Sequence, residues 1–126
     1  MGLLLDTNVI LFSLMEPNRI PHHVRRQIEA ANNICVVSVV SLYEIGLKTA
    51  LGKLPIPAGF DFVGYLQQAD MSLLEVKPQH ALAAARLPLE HRDPWDRLIV
   101  AQCLVEGHHL VSSDTNISAL GIGRIW

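Results

Sequence analysis

A chain of 126 residues with 50% hydrophobic and 17% charged content has the length of one ordinary domain and lies outside the disordered class, because it can bury a core large enough to offset chain entropy. Its formal net charge of −2 excludes the broadly basic surface by which most nucleic-acid binders neutralise phosphate, so any such binding is local or assisted by a cation. Two cysteines without zinc spacing exclude a disulfide framework and fit buried thiols in a reducing compartment.

From Met1 the chain reaches Asp6 with no basic segment, which argues against a secretory leader. Asp6 also stands where a myristoylation pattern needs Ser or Thr, and no apolar run approaches the ~20 residues of a membrane span. The expectation is a cytoplasmic protein with no membrane attachment. Leu3-Leu4-Leu5 reads as a short strand buried on both faces, turning through Asp6-Thr7-Asn8 into a helical run from Val9 to Met15. Pro21 suits the first turn of a second helix with Val24 and Ile28 inward and Arg25, Arg26 and Glu29 outward, ended by Asn32-Asn33. The β-branched run Ile34 to Val40 predicts a central parallel strand, with Ser41-Leu42-Tyr43-Glu44 opening the next helix and Gly52 closing it.

Pro55 to Gly59 is a loop, Phe60 to Ala69 has helical spacing, and Ser72 to Val76 forms a third strand. An Ala-rich helix follows from Pro78 to Leu87. His91-Arg92-Asp93-Pro94-Trp95-Asp96 then leads into an apolar helix from Leu98 to Val105, stopped by Gly107. The last unit is a strand from His109 to Ser112, a turn from Ser113 to Asn116 and an edge strand from Ile122 to Trp126. Short strands alternating with helices predict a single α/β domain over residues 1–126 with a mostly parallel sheet, since parallel neighbours need helical crossovers. Ligands of such sheets bind beyond the strand carboxyl ends, where Asp6 and Asp114 fall.

Each acid has a local explanation. Asp6 and Asp93 suit helix N-caps, worth about 1 kcal/mol each, and Pro94 after Asp93 strengthens that reading. Glu44 can pair with Lys48 one turn on, Asp96 sits where the helix dipole favours an acid, and Asp114 can start an Asx turn. Yet together these explanations bring four acids to one sheet edge for unrelated reasons. Two carboxylates about 4 Å apart repel by about 4 kcal/mol at an effective dielectric near 20, so the cluster calls for a cation or for protons. All-oxygen donors suit Mg²⁺ or Mn²⁺. The six histidines offer no zinc spacing, because His22-His23 and His108-His109 are adjacent and face apart. His91, Arg92 and Arg97 are placed to meet a phosphodiester near the metal, and Trp95 reads as core or as a base-stacking platform.

Four segments in order, LLLDTN, VVSVVSLYEIGLKTALGKL, LPLEHRDPWDRLIVAQCLVEG and LVSSDTNI, resemble PIN-domain proteins, specifically VapC-like toxins, over nearly the whole chain. The resemblance implies a three-layer α/β/α sandwich, a metal-dependent ribonuclease, dimerisation, and neutralisation by a VapB-type antitoxin. It implies a catalytic set of Asp6, Glu44, Asp96 and Asp114, with Asp6, Asp96 and Asp114 on the metal. It favours Asp96 over Asp93 as the third acid, because the family's acid directly precedes an apolar run like Leu98 to Ala101. Asp93, Thr7, Asn8, Ser112 and Ser113 are then auxiliary, and His91, Arg92, Arg97 and Lys48 are candidate RNA contacts. Asp114 is followed by Thr-Asn-Ile rather than a more acidic stretch, a departure from the family pattern. Two rival readings are a catalytically inactive partner-binding module and an aspartyl-phosphate phosphatase or receiver-like domain. The latter fits poorly, since Asn8 stands where such phosphatases place a second Asp and no Lys follows the late strand.

Overall fold

The computed structural model describes residues Met1–Trp126. Strands β1 (Gly2–Leu5), β2 (Ile34–Ser38), β3 (Met71–Leu74), β4 (His109–Val111) and β5 (Arg124–Ile125) form one sheet in the order β3-β2-β1-β4-β5, with every pairing parallel. The sheet is thus wholly rather than mostly parallel. Helices α1 (Thr7–Met15), α2 (His22–Glu29), α3 (Val39–Ala50), α4 (Phe62–Gln68), α5 (Pro78–Ala85) and α6 (Pro94–Glu106) lie in the connections. Side chains of the central strand alternate between two cores: Leu3 and Leu5 join Val9, Ile10, Val24 and Ile45, while Leu4 joins Ile99, Val100 and Leu110. A strand covered on both faces must be apolar throughout, which is why LLL sits there.

The boundaries moved where a cap competed with β propensity. Ser38 accepts the Val40 N–H at 3.1 Å and caps α3, so the strand expected to reach Val40 stops at Ser38. The β-branched pair Val39-Val40 forms the first helical turn, where tertiary burial overrides propensity. Asp61 likewise accepts the Gly64 N–H at 2.9 Å, which starts α4 at Phe62 instead of Phe60. β3 runs Met71–Leu74, one residue earlier than expected at its start and two at its end. The segment after Asp114 is a 3₁₀ helix, Thr115–Leu120, and the edge strand shortens to Arg124–Ile125. Gly107 ends α6 at φ 71°, a left-handed turn that glycine adopts without penalty.

Because all strands are parallel, their carboxyl ends share one edge, and α1, α3 and α6 each begin there. The chain leaves β1 for β2 on one side and returns to β4 on the other, so that edge is a topological switch point.

Candidate active site

Asp6 follows β1 directly and is only 5% exposed. Its N–H extends the ladder to the Val111 carbonyl at 2.9 Å. Oδ1 accepts the Thr7 N–H at 2.8 Å, and Oδ2 accepts the Ser112 hydroxyl at 2.7 Å. Ser112, fully buried just beyond β4, also accepts the Asp114 N–H at 3.0 Å. One hydroxyl therefore ties the first acid to the last.

The Thr7 hydroxyl donates to Glu44 Oε1 at 2.9 Å. Its single proton is then committed, so in the 2.9 Å contact between Thr7 Oγ1 and Ser41 Oγ the serine is the donor. Lys48 Nζ holds Glu44 Oε2 at 2.7 Å. In the first turn of α6, Asp96 Oδ2 accepts from His91 Nε2 at 2.8 Å. Asp93 is the N-cap of that helix, its Oδ1 accepting the Trp95 N–H at 2.9 Å and the Asp96 N–H at 3.4 Å. Asp114 accepts the Asn116 N–H at 2.8 Å and caps the 3₁₀ helix. The local explanations and the convergence on one edge are therefore both present.

These acids sense one another. Burial raises the Asp6 carboxyl above its ordinary range, against the hydrogen bonds from Ser112 and Thr7, and the charges of Glu44 and Asp114 raise it further. Burial pushes Asp96 up to about 6, opposed by the His91 bond and aided by the charges of Asp93 and Asp6. A site that resists ionisation in this way is one a cation would relieve.

The donor set of Asp6, Asp96 and Asp114 is all oxygen and fits Mg²⁺ or Mn²⁺. The gathering is looser than the sequence suggested, however: no three His, Cys, Asp or Glu side chains stand close enough to hold an ion as they are. The reason is visible in the partners, since Asp96 turns to His91, Asp114 to its cap and Glu44 to Lys48. Each carboxylate retains lone pairs beyond those bonds.

The remaining expected residues divide. Asn8 is exposed on α1 and Ser113 half-buried beside Asp114. Arg92 is exposed and, with His91, Asp96, Asp114 and Asn116, lines a polar groove of ≈550 Å³. Lys48 is paired to Glu44 instead of lying free. Arg97, expected near phosphate, instead directs its guanidinium at four main-chain carbonyls. Trp95 is half-buried against the second core and packs at a 56° tilt on exposed Tyr43, with ring centroids 5.2 Å apart. Ser41 was missed by the sequence reading, although its place three residues before Glu44 puts both on one helix face.

A wholly parallel α/β sandwich whose switch-point edge gathers acids from four separate segments defines a small domain with a carboxylate-lined site. The PIN domain profile matches residues 3–123, and the chain belongs to the PIN domain family. Solved structures agree on the fold. VapBC2 from Rickettsia felis, bound to a DNA fragment from its promoter, superimposes with a TM-score of 0.72 at 16% identity, covering 95% of this chain and 93% of that one. DNA-bound VapBC from Salmonella typhimurium gives 0.70 at 17% identity, covering 100% and 97%. FitAcB from Neisseria gonorrhoeae gives 0.66 at 18% identity, covering 98% and 96%. No curated protein sequence matches significantly. No helix is long and apolar enough to cross a membrane.

Proposed function

We propose that this chain is a Mg²⁺- or Mn²⁺-dependent endoribonuclease and the toxin of a VapBC-type toxin–antitoxin pair. The observation that carries the proposal is geometric: the buried Asp6, hydrogen-bonded to Ser112 and Thr7, shares the carboxyl edge of the sheet with Glu44, Asp96 and Asp114. A divalent ion held by Asp6, Asp96 and Asp114 would supply a Lewis acid that acidifies a bound water and neutralises phosphate charge.

The chain's own residues prepare that site. Ser112 and the Thr7 N–H fix both oxygens of Asp6, and His91 fixes Asp96. Glu44, held at one oxygen by Thr7 and at the other by Lys48, is poised to orient the attacking water and accept its proton. Exposed Arg92, in the polar groove beside Asp96 and Asp114, offers a cation to the RNA backbone. Attack by water in line with the 3′-oxygen leaves a 5′-phosphate and a 3′-hydroxyl.

The antitoxin reading rests on the VapBC complexes that share this fold and on an apolar groove of ≈640 Å³ between α3 and α4, lined by Leu42, Ile45, Ile56, Phe60 and Phe62. An amphipathic antitoxin segment would fill it and aim an Arg at the acids. The apolar stripe Tyr43, Leu47 and Leu51, exposed at four-residue spacing along α3 and its C-cap, suits self-association into a homodimer.

The test is cleavage of total RNA by purified chain with Mn²⁺, with chelator, and with Asp6→Asn and Asp96→Asn, followed by end mapping. Cleavage that survives both substitutions would refute the assignment. The open spacing of the acids favours a second reading, a catalytically silent partner-binding module. Calorimetry separates the two, since that module binds an antitoxin peptide without measurable Mn²⁺ affinity.

A further inference from the structure

Arg97 Nη1 donates to the carbonyls of Pro88 at 2.6 Å and His91 at 2.9 Å, and Nη2 donates to those of Ala84 at 2.7 Å and Leu87 at 2.9 Å. Each terminal guanidinium nitrogen carries two protons, so all four are spent on main chain and none is left for a fork-like grip on phosphate. The four acceptors come from the last turn of α5 and from the segment that leads to α6. That segment, residues 86–93, has no helix or strand of its own, and its Leu89 is 72% exposed. The segment's other ties are the Arg86 and Leu87 N–H bonds back to α5, the packing of Leu87 on the second core and the Asp93 cap of α6.

We infer that Arg97 is a positioning residue: its guanidinium fastens the α5–α6 connection to the first turn of α6 and thereby holds His91 against Asp96. The His91 carbonyl is one of the four acceptors, and the His91 ring reaches Asp96 Oδ2 at 2.8 Å. Arg97 thus fixes the backbone of the residue whose side chain orients its own sequence neighbour, Asp96. A cation also suits the negative end of α5, where the Ala84 carbonyl accepts the Leu87 N–H at 3.3 Å as well as Arg97. Lysine cannot substitute, because one ammonium point cannot span four acceptors arranged around a planar fork. The effect on catalysis rests on the nuclease proposal, whereas the effect on His91 does not.

The experiment compares the unaltered chain with Arg97→Lys, His91→Ala and their combination. In Arg97→Lys the fold persists, the ¹⁵N-coupled ring-proton signal of His91 bound to Asp96 is lost, and kcat for RNA falls about 10–100-fold, as for other residues that orient ligands, with KM nearly constant. The double variant is no worse than the poorer single one, the signature of two groups acting through one contact. An unchanged His91 signal overturns the inference. So does a raised KM at constant kcat with a flatter salt dependence, which would make Arg97 a phosphate contact. Should the unaltered chain cut no RNA, the nuclease proposal fails while the His91 signal still decides the role of Arg97. Should Arg97→Lys not fold, proton exchange on the unaltered chain decides: slowed Arg97 η protons support the inference, and exchange at the free-arginine rate overturns it.

Discussion

The Ser112 hydroxyl reaches Asp6 Oδ2 at 2.7 Å across 106 positions of sequence while receiving the Asp114 N–H at 3.0 Å. Ser112→Ala therefore leaves one oxygen of a buried carboxylate without its donor, a loss of about 1–3 kcal/mol in urea unfolding. The Ser112 bond also holds the Asp6 carboxyl down against burial, so its removal lets that carboxyl rise further. Mn²⁺ affinity should fall about 10–100-fold by calorimetry, as when an outer partner of a metal ligand is removed. Unaltered affinity in a folded Ser112→Ala chain would mean that Asp6 is positioned by Thr7 alone.

Asp96 carries a burial penalty that the His91 bond does not offset. Its displacement from 3.8 to about 6 corresponds to about 3 kcal/mol at 1.36 kcal/mol per pH unit. The native state binds this proton more tightly than the unfolded state, so stability falls as pH rises from about 4 to about 6 and the full penalty applies above that. Asp96→Asn removes the charge yet leaves an oxygen for His91 Nε2. With chelator present it should melt several degrees higher than the parent at pH 7.5 and nearly alike at pH 3.5, while losing cleavage. A lower melting temperature at pH 7.5 would mean that the charge is already compensated.

The strand–acid–helix units were legible because apolar blocks such as Leu3-Leu4-Leu5 and Cys35-Val36-Val37 can only be doubly covered strands, and whatever follows them lands on the carboxyl edge. That logic placed Asp6, Glu44 and Asp114. It did not place the end of β2, because Val39-Val40 satisfies strand and helix patterns alike and only the Ser38 cap decides. The partners of Arg97 were hidden for a related reason. Sequence reveals a cation next to an acid, but not that carbonyls 6 to 13 residues away fold back to claim it. How closely the acids gather was equally beyond sequence, since it depends on which way each carboxylate turns.

Asp93 tests cap against ligand. It accepts two N–H groups at the start of α6, and serine performs that role nearly as well as aspartate. Asp93→Ser should keep stability within about 0.5 kcal/mol and retain most Mn²⁺ affinity, whereas Asp93→Ala should lose about 1 kcal/mol. If serine retains stability but abolishes Mn²⁺ binding in calorimetry, Asp93 is a ligand and the choice of Asp96 as the third acid is wrong.

Away from the site, His80 is fully buried, accepting the Lys77 N–H at Nδ1 over 2.9 Å. That commitment leaves the ring proton on Nε2, which donates to Glu106 Oε1 at 2.8 Å and joins α5 to α6. The His80 bond, with Lys77 assisting, holds the Glu106 carboxyl below its ordinary 4.5. A depressed native value contributes stability that is present above 4.5 and disappears as pH falls through the native value. Glu106→Gln keeps an oxygen to accept from His80 and removes only the charge, so it should be less stable than the parent at pH 7 and converge with it as the pH drops below 4. Glu106→Leu strands the buried Nε2–H and should be destabilised at both pH values. Urea unfolding of the three chains at pH 7 and 3.5 distinguishes the contributions: a Glu106→Gln deficit that does not shrink on acidification would show that the carboxylate charge adds nothing to the bond itself.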